Sequence, residues 1–449
     1  MINLLKSRAA VLALATIAVL LGSDIASNRV QSRDYSDNFP SVVCPPASRG
    51  INASISTPST KSPFHLVRGR SLRDKEIRTL RYSSGATPVV IDARGTTPLM
   101  WQSKPGAWAA GVPCQAPQSS QWFAGGTADV TSKGSLVIVN SGLSAALVDV
   151  QVWTESGVQP KKTLSVGANS TSTTRLDSLA PGAVRLALHI APRSGRINAF
   201  LLDERGRGLR TLGGDLVNSY PRPENTLFIP AIPQVTQERI NRRARNQARQ
   251  ALSANHTLRI LTPGSVDARI NVEVISSSGI FSPVGFTARL AKAGEVTDFN
   301  FDPNLGPGNF AIRITSDQPI IASVQSTIRS LSGQSDFVWS TPTAALTEYA
   351  IATTGLSPVL VFMGEQVSLS VRALLTNGKT MTYKLKGSDL VIWRAPSNSR
   401  LLTFQSVGKN IHGAALQSSP LGTAFYPLTP GSTLTRTAIP RSNIRVLNP

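Results

Sequence analysis

Few residues in this chain could start chemistry. It holds two cysteines, Cys44 and Cys114, and four histidines, His65, His189, His256 and His412. No histidine stands in a His-x-x-x-His or Glu-paired spacing, so no metal centre is expected. The stretch 206–214 (GRGLRTLGG) is rich in glycine but fits neither the dinucleotide fingerprint nor the phosphate loop, and it lies where a hairpin loop belongs. There is no Gly-x-Ser-x-Gly elbow. After Glu348 the only carboxylates are Glu365 and Asp389, too sparse for a paired-carboxylate glycosidase in the last part of the chain. The expectation is a protein that is not an enzyme and carries no cofactor.

Two groups of residues remain. In an oxidising compartment a lone cysteine pair tends to bond, so Cys44 and Cys114 are expected to form a disulfide. The alternatives are two buried thiols or a lipidated Cys44, although Cys44 lies far past the N-terminal apolar run where lipidation would be placed. The second group is Arg239, Arg242, Arg243, Arg245 and Arg249, in a segment with no acid after Glu238 and no apolar residues at core spacing. Five guanidinium groups could grip phosphate or carboxylate groups bidentately. The alternative is a solvated linker.

Short β-strands must position these residues, because the pattern repeats. Residues 136–142 read LVIVNSG and are followed by VDVQVW (148–153), a turn at Ser156 and Gly157, then RLALHI and GRINAFLLD. The second copy reads LRILTPG (258–264), INVEVI (270–275), a turn at Ser278 and Gly279, then FAIRIT and PIIASVQS. Leu136, Gly142, Val148, Val152 and Gly157 align without a gap on Leu258, Gly264, Ile270, Val274 and Gly279. Alternation places Val148, Val150 and Val152, and likewise Ile270, Val272 and Val274, on one buried face. Similar tails follow, DLVNSYP (215–221) and DFVWSTP (336–342), and a worn third copy begins at PVLVFMG (358–364). Units of roughly 100 residues with strands every 8 to 12 residues point to all-β architecture, with tandem immunoglobulin-like antiparallel sandwiches. A propeller blade, at about 40 to 45 residues, ranks below that.

The expected organisation is a signal peptide or membrane anchor (1–27), a flexible tether (28–62), a divergent first β unit with the disulfide and without a leading strand (63–126), repeat 1 (127–233), the arginine insertion (234–256), repeat 2 (257–354) and a degenerate repeat 3 (355–449). Lys6 and Arg8 precede an apolar run too short for a comfortable membrane span, so export is expected, with the segment either cleaved or retained as an anchor. The final IRVLNP (444–449) matches the opening strand of repeat 2 and is expected to pair with a preceding unit. Trp101, Trp108, Trp122 and Phe123 could form a sugar-stacking platform, although core packing is the commoner use of such residues. The chain has 449 residues, with 46 basic and 25 acidic side chains and a net charge of +21. That excess favours anionic partners: a wall polymer or a membrane surface, with envelope proteins as a further class. Export removes nucleic acid as a partner.

Cys44, then Cys114 followed by WFAGG (122–126) and by units opening LVIVNSG, resemble an actinobacterial family of exported or membrane-anchored proteins that carry a domain of unknown function. The resemblance runs from about residue 44 to the end. It implies a cell-envelope location and a non-catalytic β architecture, and it brings no functional residue with it.

Overall fold

The computed structural model describes residues 35–48, 50–68, 75–208, 210–234, 256–329 and 335–438. The expected signal segment, the five candidate arginines and the final 444–449 strand lie outside the described residues. Two compact units are present. In the small one, Tyr35–Asn38 pairs antiparallel with Thr435–Ala438. The large one, Phe39–Thr433, holds every other described element.

The large unit is built almost entirely of strands, and its single described helix, Leu176–Leu179, is one turn long. In Ala146–Thr154 the residues Val148, Val150 and Val152 are buried while Leu147 is exposed, and Ala268–Ser276 buries Ile270, Val272 and Val274 in the same alternation. Repeat 1 is a sandwich of a five-stranded and a four-stranded sheet. In repeat 2 the strand Gly308–Arg329 runs through both layers and joins them into one eight-stranded sheet. The first unit and repeat 3 share a ten-stranded sheet, connected where Ala350–Ala352 runs parallel to Thr96–Pro98.

Three assignments differ from the expectation. The segment read as tether contains Val42–Cys44 and Asn52–Ser56, with Val42, Val43 and Ile55 fully buried, so the first unit does have a leading strand. Its sequence, NASIS, hides one large apolar core residue, Ile55, among small ones. Glu224–Gln234, expected to close repeat 1, pairs instead with Gly308–Arg329 of repeat 2. Gln121–Ala124, expected in the first unit, pairs with Ala187–Ser194 of repeat 1. Each unit therefore opens on a strand that precedes its recognisable motif, and local alternation does not encode which partner such a strand chooses.

Four closing strands, Trp108–Pro113, Arg210–Val217, Ser335–Ser340 and Gly422–Pro427, end the four units and touch one another in a closed cycle. Asp336 sits where they meet. Its carboxylate accepts from the backbone N–H groups of Gly214 (3.0 Å), Phe337 (2.8 Å) and Ala109 (3.3 Å), which belong to three of these strands. Asp215 reciprocates by accepting from the N–H of Trp339 at 2.6 Å. The approach is close enough to need glycine: a Cβ on Gly214 would lie 2.9 Å from the Trp108 indole, and one on Gly422 would collide with the Asp336 carboxylate.

Candidate ligand cleft and cationic face

The junctions between units decide where a ligand could sit. At the repeat 1/repeat 2 junction, Trp122 lies opposite His189 in the ladder, stacked on it at 4.0 Å and on Trp153 at 5.4 Å. These rings, with Leu261, Val296 and Ile321, close the junction. Arg259, with a side chain only 3% exposed, locks it: the guanidinium holds Asp298 through two bonds of 2.8 and 2.9 Å and donates to the Gly126 carbonyl at 2.6 Å. The tryptophans do not share a platform. Trp108 is buried among the closing strands, Trp101 packs against the repeat 3 core, and Trp122 fills the junction.

The repeat 2/repeat 3 junction has the same plan with smaller residues. Phe228 stands opposite Arg313 as Trp122 stands opposite His189, and Ile275 takes the place that Trp153 holds in repeat 1. What remains is a cleft of about 610 Å³. Phe228, Ile275, Ile280 and Met363 form its apolar lining. His412 backs the Phe228 ring at 4.0 Å and is held by the Thr343 carbonyl at 2.7 Å; burial lowers its pKa. Arg313 donates to Glu273, and that bond, with Glu365 and Asp389 nearby, raises its pKa.

A β-bulge brings the last two acids into this cleft. The pairing of Val359–Leu375 with Thr380–Arg394 slips between Gly364 and Gln366, leaving Glu365 as the extra residue, and Asp389 opposite takes a left-handed φ of 61°. The two carboxylates that looked isolated in the sequence thus line one cleft, together with Lys409 and Arg313.

On the far side of the bulge the same ladder presents a cationic face. Val367, Leu369 and Val371 point into the core, so Ser368, Ser370 and Arg372 point outward. Opposite them stand Lys386, Lys384 and Thr382. Arg372, Lys384 and Lys386 are exposed, and these six positions carry three cations and no acid. The alternation in TYKLKGS (382–388) is the sequence signal for this face, and the insertion around 239–249 is the denser run of cations. Among the described residues no group of three or more His, Cys, Asp or Glu could hold a metal, and no helix is long and apolar enough to cross a membrane.

The model of a family of unknown function, DUF5719, matches residues 101–389, from the first unit through both clear repeats to the bulge. The chain belongs to that family. DUF5719 thus covers the repeat 1/repeat 2 junction and most of the cleft, and its description assigns no activity. No curated protein matches the sequence.

Proposed function

We propose that this DUF5719 chain is a non-enzymatic, exported cell-envelope protein whose β-repeat ectodomain contacts anionic wall polymers or lipid headgroups. The observation that carries the reading is the set of six outward cross-strand positions in repeat 3, where Arg372, Lys384 and Lys386 stand exposed beside hydroxyl side chains with no acid among them. The net charge of +21 extends the attraction beyond this face. The disulfide between Cys44 and Cys114 favours an oxidising compartment, as does the basic, apolar N-terminal sequence. A cell-envelope location agrees with the actinobacterial resemblance.

Replacing Arg372, Lys384 and Lys386 together by glutamine should leave the melting temperature unchanged, since all three are exposed. Near an anionic surface each cation contributes about 1 kcal/mol, so binding should fall about 100-fold at low salt. Co-sedimentation with phosphatidylglycerol vesicles and retention on dextran sulfate separate the headgroup from the polymer. Undiminished binding in both assays would reject the reading.

A second reading, a scaffold for envelope proteins, draws on the same strand. Among the described residues Thr380–Arg394 pairs with Val359–Leu375 and with no other strand, so its other edge could receive an added strand. Salt separates the two: a partner held by edge pairing should resist ionic strength that releases a polyanion.

A further inference from the structure

We propose that the cleft at the repeat 2/repeat 3 junction binds a neutral pyranose unit of a glycan, with room for a disaccharide, independently of the cationic face. Internal comparison supplies the first argument. At the repeat 1/repeat 2 junction the protein fills this position with its own rings, Trp122 and Trp153. At the repeat 2/repeat 3 junction Ile275 replaces Trp153, and a ring-sized space lies against the half-exposed Phe228. A volume of about 610 Å³ is in the range of small-molecule sites.

The chemistry of the rim selects among ring ligands. Glu365 and Asp389 accept hydrogen bonds, Lys409 donates them, and Arg313 is already held by Glu273. An anionic ligand would meet two carboxylates at the bulge. A cationic one would meet Lys409 and Arg313. A purely apolar ligand would strip water from all four charges with no return. A neutral sugar avoids all three: its hydroxyls both donate and accept, and its C–H face packs on Phe228 and Ile275.

The test uses the full chain and three neutral disaccharides, cellobiose, N,N′-diacetylchitobiose and maltose, followed by saturation-transfer NMR. At least one should show transfer to its ring protons. Ile275→Trp should abolish it by restoring the ring found in repeat 1. Asp389→Asn, which keeps a residue tolerant of the left-handed backbone, should weaken binding about tenfold by removing one charged acceptor. If Ile275→Trp does not fold, Asp389→Asn decides. Absence of transfer from all three sugars, or transfer unchanged in the folded variants, overturns the proposal. Neither variant touches Arg372, Lys384 or Lys386, so retention on dextran sulfate should stay at the wild-type level. Loss of polyanion binding by the wild type would reject the envelope-contact reading and leave this one standing.

Discussion

Asp336→Ala is expected to lower the unfolding free energy by about 3–5 kcal/mol at pH near 5. The carboxyl group accepts from three backbone N–H groups on three closing strands, and each would be left buried without an acceptor. Unsatisfied buried donors cost about 1–3 kcal/mol each, with partial relaxation reducing the sum. Denaturant titration of the variant against the wild type measures the loss. A change below about 1 kcal/mol would mean that the closing strands hold together without this residue.

The choice of pH matters because buried groups titrate in opposite senses. Burial raises the Asp336 pKa from 3.8 to about 7, and it raises that of Asp215 as well. As pH climbs from about 4 to about 7 the unfolded chain loses this proton before the folded one does, so the Asp336 contribution to stability falls with rising pH. His256 is fully buried between Ser326 and Gln234, and burial lowers its pKa from 6.5 to about 4. As pH drops from 6.5 toward 4 the unfolded chain takes up the proton first, so this contribution rises with pH. Each is on the order of 3 kcal/mol, and they act in opposite directions, with Asp215 adding to the Asp336 trend. Relative to the wild type, stability between about pH 4.5 and 6.5 should therefore fall more steeply with rising pH in His256→Gln and less steeply in Asp336→Asn. The same slope in both variants would contradict the assignment.

Opening the Cys44–Cys114 disulfide should cost about 4 kcal/mol on the chain-entropy model, for a sequence separation of 70 residues. The bond ties the opening of the first unit to the residue following its closing strand. Next to it, Val43 and Gln115 exchange backbone hydrogen bonds of 2.8 and 3.2 Å. Since the first unit also extends the sheet of repeat 3, its loss should loosen both ends of the large unit. A Cys44→Ala/Cys114→Ala variant should unfold at lower denaturant than the oxidised wild type. An unchanged midpoint would show that the strands alone fix this unit.

The β architecture was legible because alternation is local: Val148, Val150 and Val152 read the same in sequence and in section. The hairpin around 206–214 and the bond between two lone cysteines were legible for similar reasons. Three other features depend on long-range pairing. Asn52–Ser56 lacked the apolar content that marks a strand, and Glu224–Gln234 chose a partner far along the chain. Asp215 and Asp336 were visible as repeated tail residues, but their reciprocal bonds required the closing strands to meet. The cleft was half visible: the ungapped repeat already sets Trp153 against Ile275, yet that difference acquires meaning only once both residues are placed at junctions. Glu365 and Asp389 looked like scattered acids because a bulge, rather than sequence spacing, brings them together.

The most direct measurement for the envelope-contact reading is the salt dependence of binding between the full chain and phosphatidylglycerol vesicles or dextran sulfate, for the wild type and for the variant lacking Arg372, Lys384 and Lys386. The wild type should bind both at low salt and lose affinity steeply as salt rises, while the variant should bind weakly with a shallower dependence. Wild-type binding that ignores salt, or a variant that follows the wild-type curve, would contradict a cationic face as the site of contact.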